Sequence, residues 1–267
     1  MLDKNFRADK SWGQNYLVNR GIIKKIVEAC ELEKHDNIIE IGAGKGALTS
    51  EIAEKGPCLT ALEPHNLSFE YLIEKFKDNP TVKIIQEDAT IFDFSAIIDG
   101  STVIVGNLPY NVSSRILKRL FETACTSAKW ILMFQREMAE RITAQEKTSD
   151  YGALSVMTFL YTKPQLLFHV KPGSFSPAPK IESSVVEFVP HNKYPEINSD
   201  MFELWLKKIF SMRRKKIGGI LKNFLQEGYA AEVLSRSGIS AEVRPQDISP
   251  GEFFILISII LTYTIQK

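Results

Sequence analysis

Residues 37–46 have the sequence Asn37-Ile38-Ile39-Glu40-Ile41-Gly42-Ala43-Gly44-Lys45-Gly46. The first half is mostly apolar and is followed by a turn signal, which predicts a buried strand. The glycines of the second half allow backbone conformations that other residues avoid, so the chain can turn sharply into a helix. A buried strand followed by a glycine turn and a helix is the opening unit of a parallel α/β sheet.

The same alternation of strands and helices continues along the chain. Apolar runs predict strands at 58–62, 82–85, 102–106 and 129–135, and helical spacing predicts helices at 22–32, 47–55, 67–77 and 137–145. Residues 165–170 and 183–189 are predicted to close the sheet as an antiparallel pair. Right-handed crossovers place the carboxyl ends of parallel strands along one edge. The predicted fold class is therefore α/β, with a Rossmann-like parallel sheet.

Polar residues follow the predicted strands at this shared edge. The glycine turn lets the backbone approach a ligand, and Glu63, after the second strand, can bind both hydroxyls of a ribose. Asp88, after the third strand, can accept from an exocyclic amino group such as that of adenine. Together these features predict a ligand that contains adenosine. A nicotinamide dinucleotide stays an alternative at this point, because Gly42, Gly44 and Ala47 also satisfy a relaxed dinucleotide fingerprint.

The fourth strand leads into Asn107-Leu108-Pro109-Tyr110. Proline stiffens the loop and directs its carbonyls, the asparagine amide can accept a hydrogen bond, and tyrosine offers a flat face. This combination suits a planar ring that carries an amine, such as a nucleobase. An ordinary strand-to-helix turn is the competing interpretation. The proline-rich loop 172–180 is predicted to expose Phe175 as a second wall for the base, with packing under the loop as the alternative.

Composition is that of an ordinary globular protein of 267 residues, with 44% hydrophobic residues and a net charge of +1. The three cysteines lie far apart and the four histidines are scattered, so no disulfide framework and no metal site are predicted. Cysteine usage favours a reducing compartment such as the cytoplasm. The N-terminus has no apolar signal core. The longest apolar run, 253–265, is shorter than the ~20 residues that a membrane span needs.

Two domains are predicted, a strand-containing domain at 1–190 and a helical domain at 191–267, with a polar linker at 190–198. Residues 204–226 hold seven Lys/Arg and no acid, including Arg213-Arg214-Lys215-Lys216. A helix of this charge is predicted to bind RNA phosphates, and a solvated helix face is the alternative. The N-terminal arm, residues 1–20, is basic as well and is predicted to assist in binding RNA phosphates.

Several motifs, in this order along nearly the whole chain, resemble the small-subunit ribosomal RNA adenine-N6 dimethyltransferases. The motifs that carry the resemblance are Gly13-Gln14-Asn15-Tyr16-Leu17, the glycine-turn stretch 40–49, Glu63, Glu87-Asp88-Ala89, Asn107-Leu108-Pro109-Tyr110-Asn111, Phe175-Ser176-Pro177-Ala178-Pro179-Lys180, Arg213-Arg214-Lys215-Lys216 and Arg244-Pro245-Gln246-Asp247-Ile248-Ser249.

The resemblance implies a Rossmann-like S-adenosylmethionine-dependent methyltransferase domain and a small all-α C-terminal domain. It implies S-adenosyl-L-methionine as the methyl donor. The implied substrate is a pair of adjacent adenines near the 3′ end of 16S rRNA within the small ribosomal subunit, each methylated twice. We further expect a monomer without a membrane partner that takes part in rRNA processing and ribosome biogenesis.

Motif matches also imply roles for single residues. The residues expected to bind the cofactor are Asn15, Leu17, Gly42, Gly44, Glu63, Asp88, Ala89 and Asn107. The residues expected to hold the target adenine are Asn107, Pro109, Tyr110 and Phe175, and those expected to bind RNA are Arg213, Arg214, Lys215 and Lys216. The chain departs from the usual family residues at Tyr16, Ala43, His65 and Arg115, which affects fine substrate contacts.

Two other classes of function stay open at this stage. One is a dinucleotide-dependent oxidoreductase, in which Asp88 and the 107–110 loop would have no role. The other is a non-catalytic ribosome-assembly or RNA-binding module, which would not need that loop. Lys45 also occurs in the related 23S rRNA methyltransferases, whereas Gly13-Gln14 and the basic C-terminal region favour the small-subunit group.

Overall fold

The computed structural model describes residues 14–194, 199–226 and 228–265. Most of the basic N-terminal arm, residues 1–13, and residues 195–198 of the expected linker lie outside the described residues. The chain divides into two compact units. One contains the chain up to Ala139 together with Pro164–His191, and the other contains Glu140–Lys163 together with the residues from Asn192 onward. The prediction of one continuous domain at 1–190 is therefore wrong for Glu140–Lys163.

The strands and helices alternate largely as expected. The strands are β1 (Tyr16–Leu17), β2 (Asn37–Ile41), β3 (Cys58–Leu62), β4 (Val82–Ile85), β5 (Val103–Asn107), β6 (Lys129–Gln135), β7 (Thr162–Val170), β8 (Phe175–Ser176) and β9 (Ser183–Pro190). The helices are α1 (Arg20–Ala29), α2 (Ala47–Ala53), α3 (Asn66–Phe76), α4 (Ser113–Thr123), α5 (Arg136–Thr143), α6 (Ala153–Tyr161), α7 (Ser199–Phe210), α8 (Ile217–Lys222), α9 (Tyr229–Ser237) and α10 (Pro250–Ile265).

Seven strands form one sheet in the order β4-β3-β2-β5-β6-β9-β7, and β1 pairs with β8 separately. The five strands from β4 to β6 are parallel to their neighbours, and β9 runs antiparallel to β6. This arrangement confirms the prediction of an α/β fold with a parallel sheet. The strand β5 is one residue longer at its carboxyl end than predicted. Asn107 pairs with Met133 and therefore belongs to the sheet.

The register of β2 fixes the edge at which the parallel strands end. Ile41, its last residue, lies opposite Leu62 of β3 and Gly106 of β5, so these ends are level. Gly106 permits the close approach, because a Cβ atom there would lie 2.7 Å from the Ile41 carbonyl oxygen. The order of the strands reverses between β2 and β5. Open α/β sheets bind their ligands at such a switch point.

Apolar packing holds the sheet rigid beneath this edge. Ile38 of β2 and Val105 of β5 belong to one buried cluster with Ile23 and Ile26 of α1 and Ile52 of α2. Fully burying side chains of this size stabilises the folded state by roughly 1.5–3 kcal/mol each. The strand ends therefore stand on a packed core, which keeps the polar groups that follow them in fixed positions.

The second unit is helical, and α6 packs there against α7 and α10. Val156, Met157 and Leu160 of α6 are all buried, so the helix needs neighbours on more than one face. The Tyr151 hydroxyl donates to the Ile248 carbonyl at 2.8 Å. These contacts explain why Glu140–Lys163 groups with the C-terminal helices. Among the described residues, no helix is both long enough and apolar enough to cross a membrane.

Candidate active site

The ends of the parallel strands form a cleft with two adjoining parts. The first part is lined by Gln14, Asn15, Tyr16, Gly42, Gly44, Glu63, Pro64, Asn107, Leu108, Pro109 and Tyr110. The second is lined by Ile41, Gly42, Leu62, Pro64, Glu87, Asp88, Ala89, Pro109, Asn111, Val112 and Ile116. Gly42, Pro64 and Pro109 border both parts, so the two parts adjoin. The structure thus brings together most of the residues that the sequence singled out at the strand ends.

The glycine turn after β2 presents bare backbone to the cleft. Gly42 and Gly44 have φ angles of 73° and 58°, a left-handed backbone conformation that residues other than glycine adopt only with strain. A Cβ atom on Gly44 would lie 3.0 Å from the Tyr16 ring. The limited space and the left-handed backbone therefore both favour glycine at position 44. The turn can offer its backbone to a ligand at close range.

Glu63, directly after β3, is held in place by two backbone groups. One carboxylate oxygen accepts from the Gly44 N–H at 2.7 Å, and the other accepts from the His65 N–H at 3.0 Å. Burial raises the pKa of this carboxyl group, and the two backbone hydrogen bonds oppose that rise. Each carboxylate oxygen keeps further acceptor capacity. Glu63 can therefore accept hydrogen bonds from a pair of ligand hydroxyls without moving.

Asp88 and Ala89, after β4, border the second part of the cleft. Asp88 is exposed, and one of its carboxylate oxygens accepts from the Thr90 N–H at 2.8 Å. This hydrogen bond orients the side chain and leaves the other oxygen as an acceptor. Ala89 is buried and small, so the wall beside Asp88 is flat enough for a ring.

Asn107, at the end of β5, connects the cleft to the segment before β1. Its Nδ2 donates to the Asn15 carbonyl oxygen at 3.0 Å. This hydrogen bond settles which side of the amide is the donor. It leaves Oδ1 as the atom that can accept from a ligand. Asn15 itself lines the cleft, so Asn107 also holds part of the wall in place.

Pro109 and Tyr110 form the border that follows Asn107. The Pro109 carbonyl accepts from the Val112 N–H at 3.2 Å, so one of its two lone pairs is already used. The Tyr110 hydroxyl and the Ser183 Oγ are hydrogen-bonded at 2.6 Å. Burial raises the pKa of Tyr110. Its ring therefore has a fixed position in the wall and stays neutral.

The prediction that the proline-rich loop exposes Phe175 is wrong. Phe175 is only 4% exposed and belongs to the same buried cluster as Leu17. The two residues are paired across β1 and β8, so each covers the other. Neither residue lines the cleft. Of the residues expected to bind the cofactor or the target adenine, Leu17 and Phe175 are therefore the two that do not line the cleft.

Three features of the site were missed from the sequence alone. The Tyr16 hydroxyl donates to the Gln14 side chain at 2.6 Å, and both residues line the cleft. Lys45 Nζ lies 5.1 Å from the centroid of the Tyr16 ring. Pro64 borders both parts of the cleft. An aromatic residue in an otherwise polar arm was the available signal for Tyr16.

Glu40 is a buried acid beneath the glycine turn. It is 1% exposed, and its carboxylate accepts from the Thr49 hydroxyl of α2 at 2.6 Å. Burial is the main cause that raises the pKa of Glu40 from 4.5 to about 7. In the sequence, an acidic residue within an apolar strand is the feature that indicates such a buried acid. The hydrogen bond between Glu40 and Thr49 links β2 to α2, which lie on either side of the glycine turn.

The basic residues of the second unit lie on a turn rather than on a helix. Residues 213–216 follow Phe210, the last residue of α7, and precede Ile217, the first residue of α8. The prediction of a basic helix face is therefore wrong at these positions. The backbone N–H of Ile217 donates to the Val243 carbonyl at 2.8 Å. This tertiary hydrogen bond fixes the start of α8 and separates it from α7.

Only part of this basic turn is available to a partner. Arg213 donates to the Ser149 carbonyl at 2.8 Å, and Lys216 pairs with Glu242. Arg214 and Lys215 are exposed. Arg213 and Lys216 therefore hold the turn in place, and Arg214 and Lys215 present their charge to solvent.

The sheet, the glycine turn at its switch point and the acids after the next two strands define a Rossmann-like methyltransferase. The model of the family described as ribosomal RNA adenine dimethylase matches residues 5–261. A ribosomal RNA small subunit methyltransferase A from Maridesulfovibrio salexigens is 36% identical over 94% of this chain and 95% of its own length. One from Geobacter metallireducens is 35% identical over 96% of both chains.

Two solved structures share the fold. A dimethyladenosine transferase from Plasmodium falciparum has a TM-score of 0.77 at 23% identity, covering 93% of this chain and 97% of its own. The 23S rRNA methyltransferase ErmE has a TM-score of 0.67 at 23% identity, covering 92% of this chain and 99% of its own.

The chain belongs to the ribosomal RNA adenine dimethylase family. This membership confirms the predicted family and the predicted class of enzyme. S-adenosyl-L-methionine is accordingly the methyl donor.

Proposed function

We propose that this protein methylates N6 of two adjacent adenines near the 3′ end of 16S rRNA, twice on each, within the small ribosomal subunit. The observation that carries the proposal is the position of Asn107, which lines the first part of the cleft next to Pro109, a residue of both parts, and whose amide is oriented by the Asn15 carbonyl. The relatives named small subunit methyltransferase A support the choice of RNA. We also propose that the protein acts as a cytoplasmic monomer during ribosome biogenesis.

The residues that line the cleft offer backbone and hydrogen-bonding groups that suit S-adenosyl-L-methionine. The bare turn at Gly42 and Gly44 would meet the methionine part. Glu63 would accept from the ribose hydroxyls, since both its oxygens are already fixed by backbone N–H groups. Asp88 would accept from the adenine amino group, with Ala89 against the ring. Leu17, which we expected to contact the cofactor, would act indirectly by anchoring the Gln14–Tyr16 wall.

Catalysis would rest on the orientation of the target amine. When bound, S-adenosyl-L-methionine supplies a methyl group activated by its sulfonium. The N6 lone pair of adenine is delocalised into the ring, so the amine is a poor nucleophile. Asn107 Oδ1 and the second lone pair of the Pro109 carbonyl would accept the two N6 hydrogens. The nitrogen would then be held pyramidal, with its lone pair directed at the methyl group.

No general base is required for this transfer. The nitrogen would gain the methyl group and a positive charge as the methyl–sulfur bond breaks and the sulfonium becomes a neutral thioether, and it would then lose one proton to water. Positioning of the amine therefore supplies most of the catalysis. The second methylation uses the same geometry with one hydrogen fewer on the nitrogen.

Tyr110 would stack on the adenine after the base leaves its helix or loop. Stacking on an aromatic side chain is worth roughly 1–3 kcal/mol per base, and the hydrogen bond to Ser183 keeps the ring in position. Phe175, which belongs to β8 and is buried beside Leu17, would support the pairing of β8 with β1. Arg214 and Lys215 would contact RNA phosphates on the second unit, while Arg213 and Lys216 keep their turn in place.

The proposal is tested by methyl transfer to ribosomal subunits that lack the modification. With labelled S-adenosyl-L-methionine, we expect label in 16S rRNA of small subunits and none in 23S rRNA of large subunits. Label confined to 23S rRNA would assign the protein to the other substrate class. Sedimentation velocity tests the proposed monomer in the same preparation.

A further inference from the structure

Four cations of the first unit form an exposed surface at the β7 side of the sheet. They are Arg20, Lys24 and Lys25 of α1 and Lys171, which follows β7. We call these four residues the α1 basic surface. Within the described part of the chain, none of them pairs with an acid. Other cations of this unit do form ion pairs, as Lys77 does with Glu74.

The inner face of α1 explains why its cations point outward. Ile23, Ile26 and Val27 are buried in the core, and Phe168 of β7 packs against the same cluster. Lys25 Nζ lies 6.0 Å from the centroid of the Phe168 ring. The helix is therefore fixed on the sheet by apolar contacts, and its exposed side carries three cations, Arg20, Lys24 and Lys25, against one acid, Glu28.

Hydrogen bonds connect Lys171 to the start of α1. The Ser174 carbonyl accepts from the backbone N–H groups of Val18 and Asn19, at 2.9 and 3.2 Å. The Ser174 N–H in turn donates to the Lys171 carbonyl at 3.0 Å. Arg20 follows Asn19 directly. The two segments that carry the cations are thus held together by backbone groups, so the α1 basic surface is a built feature of the fold.

The α1 basic surface lies close to the cleft along the chain. Arg20 is separated from Tyr16, a residue of the cleft wall, by four steps of the backbone. Even a fully extended chain spans only about 14 Å over four residues. A polyanion bound at the start of α1 would therefore lie within reach of the cleft wall.

We infer that the α1 basic surface binds RNA phosphates that flank the target adenine. The inference rests on the proposed function and adds a second phosphate-binding surface, separate from the turn at 213–216. Phosphate contacts position a nucleic acid without reading its sequence. The surface would thus hold the strand while the cleft selects the base.

The test compares Lys24→Gln/Lys25→Gln with the matched control Lys55→Gln/Lys83→Gln. Lys55 and Lys83 are exposed as well, and Lys83 lies on β4, at the opposite edge of the sheet from β7. Both variants remove two positive charges from the same unit. RNA affinity is measured with a 16S rRNA 3′-end fragment over a series of salt concentrations. S-adenosyl-L-methionine affinity is measured by calorimetry, and methyl transfer is measured to the rRNA.

We expect the α1 variant alone to bind RNA more weakly and with a flatter salt dependence. The slope of log affinity against log salt should fall by roughly 0.7–0.9 for each phosphate that the variant no longer neutralises. The KM for rRNA should rise with kcat nearly unchanged, and cofactor affinity should match the wild type.

Equal RNA affinity and equal salt slope in the two variants would overturn the inference, and the cations would then be free for another partner, such as an acidic protein. Failure of the wild type to methylate rRNA would instead reject the proposed function. The RNA affinity comparison still decides the inference in that case.

Discussion

Asn107 uses the two ends of its amide for different partners. Nδ2 donates to the Asn15 carbonyl, which leaves Oδ1 as the acceptor for the target amine. Glu63 is arranged in a similar way, because backbone N–H groups fix both its oxygens before any ligand binds. Prepositioned acceptors of this kind lower the cost of orienting the reactants.

Replacement of Asn107 by alanine should impair cofactor binding and methyl transfer together. The variant loses the acceptor for the amine and the hydrogen bond that holds Asn15 in the cleft wall. Loss of one positioned hydrogen-bonding group typically lowers kcat by about 10²- to 10³-fold. A radiolabelled methyl transfer assay measures the rate, and near-normal turnover would contradict the assignment. Asn223→Ala, at an exposed amide of the second unit, serves as the control.

Gly44→Ala should lower the affinity for the cofactor in addition to lowering the stability of the fold. The new Cβ atom would lie 3.0 Å from the Tyr16 ring, at a φ of 58°. Gly56→Ala is a matched control, because Gly56 has a φ of 88° but no neighbour within 4 Å. Both variants should lose roughly 1–2 kcal/mol of unfolding free energy from the left-handed backbone. Calorimetry should show reduced cofactor affinity for Gly44→Ala only, and equal affinities would contradict this role.

Residue types at strand ends could be predicted from the sequence, but the surroundings of Phe175 could not. The glycine turn, Glu63, Asp88 and Asn107 follow strands whose ends a parallel sheet must bring together. Burial of Phe175 depends on Leu17, which comes from a two-residue strand far away in the chain. So short a strand has no periodicity that a sequence pattern could reveal.

At the scale of elements, long apolar strands were predictable and tertiary turns were not. The limits of β2, β3 and β4 agree with those expected from the sequence. The basic turn at 213–216 was expected to be helical, because its residues have ordinary helix propensity. A hydrogen bond from Ile217 to Val243 decides otherwise, and such an interaction is invisible in the local sequence.

The link between β2 and α2 should make stability depend on pH through Glu40. Its pKa in the folded protein is about 7, against 4.5 for an ordinary glutamate, so the folded state holds the proton more tightly. The contribution of protonated Glu40 to the free energy of unfolding is complete below pH 4.5 and is lost as the pH rises through about 7. Each unit of pKa shift corresponds to about 1.4 kcal/mol.

Glu40→Gln isolates this contribution, because glutamine can still accept from the Thr49 hydroxyl but does not titrate. Denaturant unfolding over this pH range should show wild-type stability falling relative to the variant as the pH rises. A constant difference between the two proteins would contradict the assigned pKa.

At the scale of the whole molecule, the two units divide the cofactor cleft from the basic turn. Every residue that lines the cleft belongs to the first unit, and residues 213–216 belong to the second. The sequence indicated a helical C-terminal domain but missed its earlier segment, Glu140–Lys163. That segment joins the later helices through long-range packing of α6 and through Tyr151.

Arg214→Gln/Lys215→Gln should weaken rRNA binding and leave cofactor affinity intact. These two side chains are exposed, whereas Arg213 and Lys216 have structural contacts that the variant preserves. Filter binding for RNA and calorimetry for the cofactor separate the two effects, with Lys55→Gln/Lys83→Gln as the charge-matched control. Loss of cofactor binding in the variant would argue against a separate RNA-binding surface.

We propose that Asn107 at the end of β5, with the loop that follows it, aligns the N6 atoms of adjacent adenines in 16S rRNA for methylation. The most direct test is mass spectrometry of a 3′-end fragment of 16S rRNA, cut from small subunits after incubation with the protein and S-adenosyl-L-methionine. We predict two methyl groups on each of two adjacent adenines with the wild type, and almost none with Asn107→Ala. Methylation confined to other positions, or methylation of this pair that survives in Asn107→Ala, would contradict the claim.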